Sequence, residues 1–181
     1  HFALTGQLLD LIAKTPESRV VNVSSMAHVT GKMNFENLLF ENGKEYTPMK
    51  SYGQSKLANL LFTYELQRYF EAKGIDSIAV AAHPGVAHTN LVQHIENKLI
   101  FKLFSPVLKL LAQPAARGAL PQIRAAVDLS VKGAEYYGPM GFKEMGGHPG
   151  LVKSTRASHS REDARKLWDI SEQLTGTTIL F

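Results

Sequence analysis

The stretch RVVNVSS, residues 19–25, decides the fold class of this chain. It is short, rich in β-branched residues and uncharged after its first position, which predicts a strand buried on both faces. A helical pattern follows at residues 51–73, with Ser51 as the expected N-cap and Gly74 as the expected stop. A second apolar stretch, IDSIAVAAHPG at residues 75–85, predicts another buried strand. This alternation of strand and helix indicates an α/β fold with a parallel sheet.

The segments on either side extend the same alternation. Helical spacing of apolar residues predicts a first helix over residues 1–14, and residues 26–50 look irregular. Further elements are expected as a helix over about 114–128, a short strand at AEYYG (134–138) and a final helix over about 161–174. The whole pattern predicts an α/β layer fold with a mostly parallel sheet.

The bulk composition excludes several classes of protein. With 44% hydrophobic and 20% charged residues, the 181-residue chain has the composition of a globular domain. The absence of cysteine excludes disulfides and thiolate metal sites. The net charge of +4 comes from scattered basic residues, so no nucleic-acid partner is expected. No apolar run approaches the roughly 20 residues of a membrane span, and we expect a cytoplasmic location.

Tyrosine precedes lysine by four residues at three places: Tyr46/Lys50, Tyr52/Lys56 and Tyr69/Lys73. Two residues at this spacing share a face only if both lie on one helix. Pro48 lies between the members of the first pair, which argues against a helix interior there. The third pair lies at a helix end, where a lysine is favoured by the helix dipole. The second pair, Tyr52/Lys56, is therefore the candidate catalytic pair.

The context of Tyr52 and Lys56 supports that choice. The pair occupies the first turns of the long predicted helix, where Gly53, Ser55 and Ala58 would let a ligand approach the backbone. The helix follows a predicted strand, and ligands of open α/β sheets bind beyond the carboxyl ends of the strands.

Three motifs in order resemble the short-chain dehydrogenase/reductase family: RVVNVSS, then YGQSKLANLLF (52–62), then AAHPGVAHTNL (81–91). The segments SSMAH (24–28) and SKLAN (55–59) are similar to its retinol-dehydrogenase-like branch. The resemblance runs along most of the chain and implies a Rossmann-like three-layer α/β/α domain with a mostly parallel sheet. Residues 1–181 would be the C-terminal catalytic part of that domain, with its N-terminal portion missing.

The resemblance implies a role for each matching residue. Tyr52 would exchange a proton with the substrate oxygen, and Lys56 would hold the nicotinamide ribose and favour the phenolate, because a free tyrosine titrates only near pH 10. Ser25 would hydrogen-bond the same substrate oxygen. Neighbouring strand residues point to opposite faces, so the physics leaves Ser24 open as the alternative, and the family pattern selects Ser25. Ser25 and Met26 would contact the substrate.

The family pattern also assigns the turn after the second predicted strand to the cofactor. Pro84, Gly85 and Val86 would wall the nicotinamide, and Thr89 would hydrogen-bond its amide or the pyrophosphate. The implied cofactor is NADP or NAD, with NADP favoured by the branch. The apolar region of about residues 87–113 would form a lid over the substrate.

One part of the family pattern has no match in this sequence. No glycine-rich phosphate loop of the form G-x-x-x-G-x-G occurs. We expect that loop to precede His1, because the first helical pattern begins without a capping residue, as in a piece of a larger protein. The residue that distinguishes NAD from NADP would also precede His1.

The resulting hypothesis is an oxidoreductase that transfers a hydride between a nicotinamide cofactor and an apolar alcohol, aldehyde or ketone. The alternative from another class is a family member without turnover that acts as a binding or scaffold module. A homodimer is a further expected partner, and contact with a membrane surface is the weaker alternative. The histidines lack the spacing of a metal site, and no G-x-S-x-G elbow of a hydrolase is present.

Overall fold

A computed structural model describes residues 1–86 and 113–179 of the chain. Within these residues the α-helices are α1 (Phe2–Lys14), α2 (Pro48–Lys73), α3 (Ala115–Gly118), α4 (Leu120–Val127) and α5 (Arg161–Thr175). The strands are β1 (Ser18–Val23), β2 (Ser77–Ala82), β3 (Tyr136–Pro139) and β4 (Pro149–Leu151). Short 3-10 helices lie at Met26–Thr30, Glu41–Gly43, Phe142–Glu144 and Arg156–His159. The predicted lid lies outside the described residues apart from Gln113, and Thr89 lies outside them as well.

The four described strands form one mixed sheet in the order β1-β2-β3-β4. β1 pairs with β2 in parallel along six residues, from Ser18↔Ser77 to Val23↔Ala82. β2 pairs in parallel with β3, and β3 pairs antiparallel with β4. The predicted α/β fold with a mostly parallel sheet is thereby confirmed. The sequence did not predict β4, whose three residues Pro-Gly-Leu carry little strand propensity.

Helices cover both faces of this sheet. Along β2, Ala79 and Ala81 point to the side of α2, where they join clusters that contain Leu66 and Leu60. Val80 and Ala82 point to the opposite side and pack near Ala125 of α4. This alternation is the expected consequence of a strand buried on both faces, and it produces the three layers.

The N-cap of the long helix α2 lies four residues earlier than the sequence predicted. Thr47, not Ser51, is its N-cap, and the Thr47 side chain accepts a hydrogen bond from the backbone N–H of Lys50 at 3.2 Å. Pro48 stands at the first helical position, where its missing N–H costs nothing. Tyr46 therefore precedes the helix and cannot share a face with Lys50. The helix ends as predicted at Gly74, which adopts φ +62°.

The apolar character of α2 on more than one side has an explanation within the chain. Leu60 and Tyr64 pack on the sheet, whereas Leu57 and Leu61 pack against Ala164 and Leu167 of α5. The helix is thus sandwiched between the sheet and α5, and its apolar surface does not require a second subunit. No described helix is both long enough and apolar enough to cross a membrane.

Replacement of Leu60 by alanine should be strongly destabilising. Leu60 is fully buried between α2 and the sheet, so Leu60→Ala should lower the free energy of unfolding by about 2–5 kcal/mol. The matched control Leu39→Ala removes the same atoms from a side chain that is 62% exposed and should cost less than about 1 kcal/mol. Urea unfolding of the two variants measures the difference. Similar losses in both would contradict the described packing of α2.

Candidate active site

The carboxyl ends of β1 and β2 lie side by side and form the floor of the candidate site. Because Val23 pairs with Ala82, the chain leaves both strands at the same level. The backbone N–H of Ser24 still donates to Ala82 O at 2.8 Å, which extends the ladder by one residue. Ser25 and the Pro84–Val86 turn therefore follow at one edge of the sheet, where α/β folds bind ligands.

The two candidate serines have different surroundings. The Ser24 side chain is buried and its hydroxyl donates to the backbone oxygen of Lys56 at 2.9 Å, which fastens β1 to α2. Ser25 is half-buried and caps the 3-10 helix Met26–Thr30, with its Oγ accepting the Ala27 N–H at 3.2 Å. In that bond Ser25 uses only a lone pair, so its own O–H remains able to donate to a ligand. Met26, the other predicted substrate contact, is also half-buried.

Tyr52 and Lys56 share one face of α2 beside this edge. The Lys56 ammonium lies 5.5 Å from the centre of the Tyr52 ring and 3.4 Å from the carbonyl oxygen of Val23. Burial lowers the pKa of Lys56 from its ordinary value. Asn59, one turn further along, donates to the same Val23 oxygen at 2.9 Å. Among the described residues the Tyr52 hydroxyl makes no hydrogen bond, which leaves it available to a ligand.

A contact between two glycines connects the Ser25 loop with the Tyr52 helix. A Cβ on Gly31 would lie 2.4 Å from Gly53 O, and a Cβ on Gly53 would lie 3.0 Å from Ala27 O. Gly53 was interpreted from the sequence as space for a ligand. The structure corrects this interpretation, because Gly53 is buried and faces the 3-10 helix. Its lack of a side chain serves backbone packing, which joins the segments that carry Ser25 and Tyr52.

The Pro84–Val86 turn is held by the segment between β3 and β4. Gly85 adopts φ +67° and fits tightly, since a Cβ there would lie 2.7 Å from Met145 O. The Val86 N–H donates to the same Met145 oxygen at 2.8 Å. The Gln113 side chain donates to Pro84 O at 2.9 Å. A positive φ with such close neighbours explains the glycine, and the result is a turn of fixed shape.

Two buried histidines lie behind these elements and were not predicted as site residues. His28, in the 3-10 helix, has its Nδ1 2.7 Å from Ser25 O. His83, at the end of β2, has its Nε2 3.0 Å from the Glu144 carboxylate. Burial lowers the pKa of both rings, that of His83 to about 4, and burial raises the pKa of Glu144. The three-residue spacing from Ser25 to His28 is the one sequence signal for the first contact.

Within residues 1–86 and 113–179, no three histidine, aspartate or glutamate side chains converge as a metal site. The side chains that gather at the edge of the sheet are a hydroxyl, a phenol and an ammonium group. Such a set can bind an oxygen atom of a ligand and exchange a proton with it, which is the chemistry that the family resemblance implies for these residues.

Comparison with known proteins confirms the resemblance to this family in its retinol-dehydrogenase branch. The chain is 36% identical to retinol dehydrogenase 12 of Mus musculus over 177 residues, which are 97% of this chain and 51% of that protein. It is 38% identical to retinol dehydrogenase 14 of Homo sapiens over 179 residues, with 97% and 49% covered. The chain thus spans about half the length of the curated relatives it matches.

A solved structure of an uncharacterized protein from Mycobacterium Paratuberculosis has the same fold. It matches with a TM-score of 0.76 and 38% sequence identity, over 100% of this chain and 57% of that one. No protein-family model matches the chain.

The free energy of unfolding should fall as the pH is lowered from about 6.5 to about 4. In this range the unfolded chain protonates His83 while the folded chain, with its pKa of about 4, does not. The lowering of the His83 pKa from 6.5 to about 4 corresponds to about 3 kcal/mol of the free energy of unfolding, and this contribution is fully lost below pH 4. The lowered pKa of His28 acts in the same direction, and the raised pKa of Glu144 opposes it.

Urea unfolding between pH 7 and pH 4 measures this dependence. A His83→Asn variant should show a shallower decline, because its side chain does not titrate. The control His148→Asn replaces an exposed ring and should change the slope less than His83→Asn does. An unaltered slope in His83→Asn would show that another group carries the dependence.

Proposed function

We propose that this chain is the catalytic part of an NAD(P)-dependent oxidoreductase that transfers a hydride between nicotinamide and the alcohol or carbonyl group of an apolar substrate. The observation that carries the proposal is the placement of Tyr52 and Lys56 on one face of α2, beside the carboxyl end of the strand that leads to Ser25. A phenol beside an ammonium group, at the strand end that leads to a serine, is suited to proton exchange at a substrate oxygen.

The roles of the three side chains follow from their surroundings. Tyr52 exchanges the proton with the substrate oxygen, because its hydroxyl is not engaged elsewhere among the described residues. Ser25 donates a hydrogen bond to that oxygen, with its Oγ held by the Ala27 N–H. Lys56 places a positive charge beside the Tyr52 ring. Ser24 supports the site differently, by fixing the backbone of Lys56 to the end of β1.

The donor set also fits a nicotinamide nucleotide. Lys56 carries an ammonium group suited to ribose hydroxyls. The turn of Pro84, Gly85 and Val86, held by hydrogen bonds to Gln113 and Met145, follows at the same edge of the sheet and would contact the nicotinamide. Tyr52 would contact the same ribose, and Thr89 is proposed to complete this side of the cofactor site. When bound, the cofactor supplies or accepts the hydride. Nothing in the described residues favours NAD over NADP.

The names of the curated relatives support an apolar alcohol as substrate. The relatives are called retinol dehydrogenases, and retinol is a primary alcohol with a long apolar body. We propose that this protein acts on an alcohol, aldehyde or ketone of similar character. Met26, half-buried beside Ser25, would contribute apolar contact to it.

Replacement of Tyr52 by phenylalanine tests the proton exchange. In the full-length protein, Tyr52→Phe should lower kcat by about 10²–10⁴-fold, the usual contribution of a general acid or base. The affinity for the cofactor, measured by fluorescence titration, should change little, since only a hydroxyl is removed. Tyr46→Phe and Tyr69→Phe are the matched controls and should cost at most a few-fold in kcat. A near-normal kcat in Tyr52→Phe would remove Tyr52 from the mechanism.

The polypeptide 1–181 by itself should bind NADH and NADPH very weakly and show no measurable turnover. The proposed contacts reach only the ribose and nicotinamide, and the sequence has no glycine-rich loop to bind the pyrophosphate at a helix N-terminus. The outer edge of β1 has no partner strand among the described residues, so the polypeptide should also self-associate. Calorimetric titration and light scattering measure both properties. Micromolar binding by a monodisperse monomer would show that these residues suffice.

A further inference from the structure

A layer of buried polar side chains lies directly behind the candidate active site. It consists of His28, His83 and Tyr136, which are 3%, 0% and 2% exposed. The His28 ring meets the Tyr136 ring edge-on at 5.6 Å, and the His83 ring lies 5.2 Å from it. None of the three takes part in the proposed proton exchange. Buried polar atoms of native proteins are generally hydrogen-bonded, so the partners of each ring nitrogen reveal what the two histidines hold.

The partners of His28 determine its tautomer. The backbone N–H of Thr155 donates to Nε2 at 3.3 Å, and a backbone amide can only donate. Nε2 is therefore the unprotonated nitrogen, and Nδ1 carries the hydrogen that it donates to Ser25 O at 2.7 Å. The same oxygen accepts the backbone N–H of His28 at 3.1 Å. The ring thus connects the residue proposed to bind the substrate oxygen with the segment that begins the 3-10 helix Arg156–His159.

The partners of His83 determine the opposite tautomer. The backbone N–H of Gly85 donates to Nδ1 at 3.2 Å, so Nδ1 is unprotonated. Nε2 then carries the hydrogen and donates to the Glu144 carboxylate at 3.0 Å. Gly138 makes room for this ring, since a Cβ there would lie 2.0 Å from Nε2. The ring connects the proposed nicotinamide turn with the loop between β3 and β4.

We propose that His28 and His83 are positioning residues for the two sides of the active site, held neutral in opposite tautomers. His28, as the Nδ1–H form, fixes the backbone of Ser25, and His83, as the Nε2–H form, fixes the Pro84–Val86 turn. The catalytic consequence rests on the proposed function, whereas the tautomers do not. The lowered pKa of each ring is in keeping with neutrality at pH 7.

The two histidines should affect different kinetic parameters of the reaction. Ser25 is proposed to contact the substrate oxygen, so a loosened Ser25 backbone should reduce kcat while the affinity for cofactor persists. The Pro84–Val86 turn is proposed to contact the nicotinamide, so a loosened turn should raise the KM for cofactor. Displacements well below the size of a side chain suffice, because the reaction demands close alignment of the reacting atoms.

Replacement of each histidine by asparagine or by glutamine tests its two hydrogen bonds separately, because each amide can retain only one of them. The asparagine amide can occupy the place of Nδ1, and the longer glutamine amide can occupy the place of Nε2. At position 28, asparagine can still donate to Ser25 O, whereas glutamine can only replace the acceptor for Thr155. At position 83, asparagine can still accept from Gly85, whereas glutamine can only replace the donor to Glu144.

In the full-length protein we expect glutamine and asparagine to have different kinetic effects at each position, and the two positions to affect different kinetic parameters. His28→Gln should lower kcat about tenfold with the cofactor KM unchanged, while His28→Asn stays within about threefold of wild type. His83→Gln should raise the cofactor KM about tenfold, while His83→Asn stays within about threefold. Thermal unfolding of all four variants verifies that each is folded. Equal losses for asparagine and glutamine at both positions would indicate packing alone and would overturn the proposal.

Nitrogen-15 NMR of the imidazole rings provides a readout that is independent of activity. In the cofactor-free full-length protein at pH 7, His28 should show the neutral Nδ1–H pattern and His83 the neutral Nε2–H pattern. The same tautomer in both rings, or a protonated imidazolium in either, would overturn the proposal. Opposite neutral tautomers in a protein that oxidises or reduces no alcohol, aldehyde or ketone would support the two ring assignments and overturn the proposed function instead.

Discussion

The parallel pairing of β1 with β2, in register up to Val23 and Ala82, is the constraint on which the site depends. Parallel strands end at the same edge of a sheet, so one pairing brings two distant chain segments to one place. A shift by one residue would turn Ser24 away from α2 and reverse which serine faces the edge. The hydrogen bond from the Ser24 hydroxyl to Lys56 O therefore helps to fix the register of β1 and the position of α2 along that strand. Each remaining feature of the site is attached to these two strand ends.

The attachments are made mainly between backbones. Gly31 and Gly53 contact each other closely enough that a methyl group on Gly31 would overlap Gly53 O. Gly85 is enclosed in the same manner by Met145 O. Backbone atoms have fewer ways to move than long side chains, so such contacts hold a site with little loss of side-chain entropy. The cost is a low tolerance to mutation, since Gly31 and Gly85 have no room for a side chain and Gly53 has very little.

Periodicity and turn residues predicted the elements that local sequence controls. The end of α2 at Gly74 and the Tyr52/Lys56 face of that helix follow from nearest neighbours along the chain. The strand predicted at residues 19–25 is found as Ser18–Val23, but it is mostly half-buried and not buried on both faces, because it lies at the edge of the described sheet. The predicted N-cap of α2 was four residues late, because Thr47 and Pro48 form a capping pair whose role depends on the helix that follows. The contact of Gly31 with Gly53, and that of His83 with Glu144, join residues distant in sequence. No local pattern specifies them, so the structure was needed to find them.

The buried histidines show why the region behind the strand ends is polar. Apolar residues at positions 28 and 83 would avoid the cost of burying imidazole nitrogens, which is visible in the lowered pKa of both rings. They would also leave Ser25 O with one hydrogen bond fewer and the Gly85 N–H without its acceptor. The two neutral rings orient backbone groups of the site without adding a charge of their own, whereas protonated rings would alter the potential near Tyr52 and Lys56. Because neither ring adds a positive charge, Lys56 remains the positive charge beside the Tyr52 phenol, which is the electrostatic condition that proton exchange at Tyr52 requires.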